Sequence, residues 1–147
     1  MGGRDVRHIV YSAPVIAEQV ARMGDEITAH YADGDDLLVL GLLKGSFIFV
    51  ADLVRYIKRP LHVDFLVASS YGSGTVSSGE VKLVYDPSAE LKDRHVLLVE
   101  DIIDTGLTLN YLGNIFRRRE ATSVEIAAVR DKPDRHEILV DARCVGF

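Results

Sequence analysis

Val96-Leu97-Leu98-Val99-Glu100-Asp101-Ile102-Ile103-Asp104-Thr105-Gly106-Leu107-Thr108 is the stretch on which the reading of this chain turns. From His95 to Val99 the residues form a short, nearly continuous apolar run, which fits a strand buried on both faces, as in a parallel sheet. Glu100 to Gly106 reads as a turn, and a helix is predicted from about Leu107 to Arg118. The strand thus delivers two adjacent carboxylates, Glu100 and Asp101, to its C-terminal edge, where open α/β sheets bind ligands. The turn that follows suits an anion. The first amides of a helix lack intrahelical partners, and the helix dipole adds partial positive charge. Thr105 and Thr108 add hydroxyl donors, and Gly106 permits close backbone approach, so a phosphate would sit there well. The adjacent carboxylates suit a vicinal diol, as on a ribose, or a hydrated Mg2+. Together they describe a site for a phosphorylated sugar. The plainer alternative is an ordinary strand-to-helix turn, with Asp104 as helix cap and Glu100 and Asp101 as solvated charges.

Outward from this stretch, strands and helices alternate. Ser12 is a candidate cap, Pro14 suits a first helical turn, and apolar spacing predicts an amphipathic helix from Pro14 to Tyr31, with Gly34 beyond its end. Leu37 to Leu40 is a second buried strand; Gly41 to Ser46 leads into a helix from Phe47 to Tyr56, and His62 to Ala68 is another strand. Ser69 to Gly79 is polar and glycine-rich and reads as a mobile loop, with a strand from Val81 to Tyr85 on its far side. Strands are also expected at Ser123 to Val129 and Ile138 to Val145. The fold class is therefore α/β, a mostly parallel sheet flanked by helices, in a single domain over residues 1–147.

Composition narrows the class. The chain has 147 residues, 48% hydrophobic and 27% charged, with 17 basic against 22 acidic side chains and a net charge of −5. That is too apolar for disorder, and the acidic balance disfavours nucleic-acid binding driven by bulk charge. Cys144 is alone, which excludes a disulfide scaffold and fits a core or interface position. No apolar run approaches the ~18 residues that span a bilayer, and Met1 to Tyr11 lacks a signal-like apolar core, so a soluble cytoplasmic protein is expected. The five histidines show no metal-ligand spacing, Arg117-Arg118-Arg119 fits a solvated helix end, and Gly41 to Ser46 is not a P-loop.

The complete pattern resembles the phosphoribosyl-pyrophosphate (PRPP) motif of type I phosphoribosyltransferases, and within them the hypoxanthine(-guanine) phosphoribosyltransferases. Leu43-Lys44-Gly45-Ser46 resembles the pyrophosphate loop of that family, Ser69-Ser70-Tyr71-Gly72 the start of its flexible catalytic loop, and Asp131-Lys132-Pro133 its purine-contacting segment. Val145-Gly146-Phe147 resembles the stretch before its C-terminal substrate hood. The resemblance implies that Glu100 and Asp101 meet the ribose hydroxyls, directly or through Mg2+. It assigns Asp104, Thr105, Gly106, Leu107 and Thr108 to the 5′-phosphate, and Asp104 also to general acid/base catalysis at N7 of the purine. Lys44 and Gly45 would hold pyrophosphate, with the Leu43–Lys44 peptide often cis in the family. Lys132 would donate to the purine O6, Ile102 would pack on the purine or fill the core, and Ser70 and Tyr71 would close over the site.

The implied reaction is Mg2+-dependent transfer from PRPP to hypoxanthine or guanine, giving IMP or GMP and pyrophosphate, in a homodimer or homotetramer. A different class is a PRPP-sensing, RNA-binding regulator on the same fold. Those regulators typically carry tyrosine at the position of Asp104 and differ in the purine segment, so Asp104 and Lys132 favour the enzyme. The family continues for some tens of residues past the point corresponding to Phe147. Either the chain is incomplete, or it is a shortened variant without the hood, with intact PRPP residues and weakened purine affinity and selectivity.

Overall fold

A computed structural model describes residues 11–70, 81–103, 105–135 and 142–147, with the side chains of Ser70, Val81 and Pro133 outside the description. The chain runs α1 (Ala13–His30), β1 (Leu37–Leu42), α2 (Phe47–Val54), β2 (Leu61–Ser70), β3 (Val81–Tyr85), β4 (His95–Ile103), α3 (Leu107–Arg118), β5 (Ser123–Asp131), a 3-10 turn at Pro133–Arg135, and β6 (Cys144–Val145). Six strands form one sheet in the order β3-β2-β1-β4-β5-β6. All neighbours are parallel except β2 and β3.

The apolar runs are continuous because both faces of the central strands are covered. Val39, Leu97 and Val99 pack with Val20, Met23 and Ile27 of α1 and Phe49 and Leu53 of α2. Their neighbours Leu38, Leu40, Val96 and Leu98 turn the other way, onto Leu109, Leu112 and Phe116 of α3. Alternation along a strand thus feeds two cores at once. Gly24 marks the closest approach of α1 to the end of α2: a Cβ there would lie 2.3 Å from the Tyr56 Cβ. No helix among the described residues is long and apolar enough to cross a membrane.

Several expected boundaries move. Residues Glu100 to Ile103 are strand, not turn, because β5 runs on to Asp131 and the ladder continues through Glu100–Ala128 and Ile103–Asp131. Likewise β2 extends through Ser69 and Ser70, which were expected in the loop, because they pair with Lys82 and Val81 of β3. β1 runs to Leu42, opposite Leu66, and α2 stops at Val54. Ser12 occupies the N-cap of α1 but its side chain makes no capping bond; its carbonyl accepts the Ile16 amide at 3.0 Å. Of the strand expected over Ile138 to Val145, Cys144–Val145 is strand, and residues 136–141 lie outside the described residues. Most of the glycine-rich segment, residues 71–80, lies outside them too.

Candidate functional site

The strand order sets the location. From β1 the chain moves outward through β2 to β3, then returns to β4 and moves outward the other way through β5 to β6. The direction of winding therefore reverses between β1 and β4, and the crevice beyond the C-terminal ends of these two strands is where such sheets take ligands. Leu43 to Ser46 emerges from β1 there, with the Leu43–Lys44 peptide cis. Glu100 and Asp101 lie near the end of β4, and Lys132 follows the end of β5.

Register brings the first two segments together. Gly41 pairs with Val99, so the loop after β1 and the acid pair on β4 overhang the same crevice. A Cβ on Gly45 would stand 3.6 Å from both the Cβ and Oδ2 of Asp101, so the Asp101 carboxylate faces the loop across about the width of a methyl group. Glu100 is half-buried, and its Oε1 accepts the Asp101 amide at 2.8 Å. Burial pushes its carboxyl up to about 7; the Asp101 amide opposes this and the Asp101 charge adds to it.

Glu100 also borders a cavity of about 160 Å³, lined further by Ile102, Ile103, Thr105, Gly106, Thr108 and Leu109. Ile103 is buried, whereas Ile102 is 39% exposed, so Ile102 is available to a planar apolar ligand. Gly106 is the N-cap of α3 and has φ +84°, a left-handed conformation that glycine adopts without Cβ strain. Thr105 Oγ1 accepts the Leu107 amide at 3.4 Å, a bond that does not use its O–H donor. The Lys132 amide donates to the Ile103 carbonyl at 2.9 Å, which ties the segment after β5 to the end of β4. A larger cavity, about 350 Å³, lies between α1 and α2 and includes Ile16, Val20, Asp52, Arg55 and Tyr56; none of the motif residues lines it.

The structure therefore places Lys44, Gly45, Glu100, Asp101, Ile102, Thr105, Gly106, Leu107, Thr108 and Lys132 at one edge of the sheet. Asp104, Tyr71 and the Ser70 side chain lie outside the described residues. Sequence reasoning named Ser46 only as the last residue of the motif resembling a pyrophosphate loop, yet it is fully buried with its hydroxyl bonded to the Leu42 carbonyl. Among the described residues no three His, Cys, Asp or Glu side chains gather closely enough to hold a metal by themselves.

Comparison with known proteins identifies the family and the fold. Residues 7–142 match the phosphoribosyl transferase domain family. Hypoxanthine-guanine phosphoribosyltransferase of Bacillus subtilis is 43% identical over 97% of this chain and 79% of its own. The bifunctional protein TilS/HprT of Listeria innocua is also 43% identical, but the chain spans only 22% of its length. A crystal structure of a hypoxanthine phosphoribosyltransferase from Staphylococcus aureus superposes with a TM-score of 0.90 at 34% identity, over 97% of this chain and 77% of that one.

Proposed function

Because the chain belongs to the phosphoribosyl transferase domain family, we propose that it performs purine salvage, moving the 5-phosphoribosyl group from PRPP to hypoxanthine or guanine. IMP or GMP and pyrophosphate are the products. The observation that carries this reading is the approach of Asp101 to the Gly45 backbone, which sets a loop suited to pyrophosphate beside the carboxylates suited to a ribose.

Substrate would lie across the reversal point. The amides at the start of α3, with Thr105 and Thr108, receive the 5′-phosphate, where N–H groups without intrahelical partners and the helix dipole favour negative charge. Glu100 and Asp101 accept hydrogen bonds from the ribose hydroxyls and hold C1′ opposite the base. Lys44 and the backbone at Gly45 receive the departing pyrophosphate. The bond from C1′ to pyrophosphate oxygen breaks as the bond to the purine nitrogen forms, through an oxocarbenium-like state. Asp104 takes the proton from the attacking base and stabilises the neighbouring positive charge. Ile102 packs on the purine, Lys132 donates to its O6, and Ser70 and Tyr71 help exclude water.

The residues present fit Mg2+. Asp101 and Glu100 are hard oxygen donors, Asp101 beside the pyrophosphate loop and Glu100 adjacent to it in the strand, and Mg2+ is usually held by one or two carboxylates together with substrate phosphates. When bound it would neutralise the leaving group. The enzyme is expected to work in the cytoplasm as a homodimer or homotetramer. The direct test is consumption of hypoxanthine that requires both PRPP and Mg2+. No turnover, combined with tight binding of a defined RNA, would instead establish a PRPP-sensing regulator.

A further inference from the structure

We propose that Ser46 is a positioning residue, its buried hydroxyl holding the Leu43 to Ser46 loop in the shape that receives pyrophosphate. The proposal rests on the reading of that loop as the pyrophosphate site. Ser46 is 0% exposed, and no other serine, threonine, amide or charged side chain among the described residues is fully buried. Buried hydroxyls are kept where they are bonded, so the partner indicates the purpose.

That partner is not the one its position suggests. Ser46 precedes α2 as its N-cap, where a serine ordinarily accepts an amide from the first helical turn. Here φ is −86° and ψ −8°, already helical, and the side chain makes no capping bond. It reaches backward instead, and its Oγ donates to the Leu42 carbonyl at the end of β1. The Ser46 amide donates to the same carbonyl at 3.4 Å, while the Ser46 carbonyl accepts the Val50 amide of α2 at 2.8 Å. One residue thus joins the last peptide of the strand to the first turn of the helix. On the strand side, the Leu43 amide stays bound to the Leu66 carbonyl at 2.9 Å.

Between these fixed ends only Lys44 and Gly45 are exposed, and Gly45 faces Asp101. Removing the hydroxyl leaves the loop closed only by the longer Ser46 amide bond to Leu42 and the Phe47 amide bond to the Lys44 carbonyl at 3.5 Å, which loosens it. A ligand would then have to order the loop on binding, and that cost falls on the pyrophosphate half of the substrate alone. A serine that merely stabilised α2 would affect melting, not this half of the site.

The test compares wild type, Ser46→Ala and Ser46→Cys in the 147-residue chain. Titration with inorganic pyrophosphate and Mg2+, titration with ribose 5-phosphate, PRPP kinetics and thermal melting are read in parallel. Ser46→Ala is expected to weaken pyrophosphate binding and raise KM for PRPP about tenfold, the scale of one lost buried hydrogen bond. Ribose 5-phosphate affinity and kcat should stay near wild type. Ser46→Cys keeps a weaker donor of similar size and should fall between the two. Unchanged pyrophosphate binding in Ser46→Ala overturns the proposal, and so does an equal loss for both ligands. Should Ser46→Ala fail to fold, Ser46→Cys decides: selective weakening supports the proposal, and wild-type pyrophosphate binding overturns it. Failure of wild type itself to bind pyrophosphate would sink the reading of the loop and the proposal together, a result distinct from the others.

Discussion

The two ends of the parallel ladder differ in how their polar groups are satisfied. At the N-terminal end the chain supplies its own partners. His95 sits between Ser123 Oγ at 2.8 Å and Asp35 at 3.6 Å, with the Tyr31 ring set edge-on at 5.7 Å. Arg94 bridges Asp36 at 3.1 Å and His62 at 2.9 Å, and Glu125 faces both His30 and Arg143. The Tyr31 hydroxyl is an exception, buried without a hydrogen-bond partner among the described residues. At the C-terminal end Glu100 takes its hydrogen bond from the amide of the next residue and otherwise borders a cavity. Lys44 and Gly45 are exposed beside a carboxylate. One end therefore spends its polarity on the fold; the other leaves it facing the crevice.

Substitutions should separate the ends. The largest effect is expected for Asp104→Asn, which should lower the rate of the chemical step by roughly 10²–10⁴ with a far smaller change in PRPP binding, read by single-turnover kinetics and titration. Equal losses in both would confine Asp104 to holding the 5′-phosphate. Lys44→Ala should raise KM for PRPP about tenfold and leave melting almost unchanged, since an exposed charge contributes little to stability.

The difference should also appear with pH. Glu100 holds its proton more tightly in the fold, where its carboxyl rises from 4.5 to about 7. It therefore favours the folded state below about pH 4.5, and that contribution is lost as pH rises through about 7. Without Mg2+, melting temperature should fall across this window, and Glu100→Gln should flatten the fall. An unaltered pH profile in that variant would show that burial of Glu100 is not felt. Smallest is Ser123→Ala at the opposite end, expected to cost about 1 kcal/mol in denaturant melts with kcat/KM unchanged. A kinetic defect there as large as that of Lys44→Ala would break the division of labour.

Legibility followed the same division. The central strands could be read because Leu37 to Leu40 and Val96 to Val99 are apolar on both faces, a signal that needs no partner to be recognised. Glu100 to Ile103 misled, since carboxylates at a strand end look like turn residues until the length of β5 is known. The motif residues themselves could be found, and their shared edge follows from parallel strands. The approach of Asp101 to the Gly45 backbone could not be read, because it depends on Gly41 lying opposite Val99. The backward bond of Ser46 was hidden for a related reason: a serine before a helix looks the same whether it caps or clasps.

Gly45 and Asp101 stand 56 positions apart in the chain. The crevice is incomplete for a growing polypeptide until β4 has been made and has docked beside β1. Binding should therefore be acquired late during synthesis and all at once, and a nascent chain stopped before His95 should show none of it. Substrate capture would then serve as a timer for the central long-range closure, reporting when two distant segments have found their shared register.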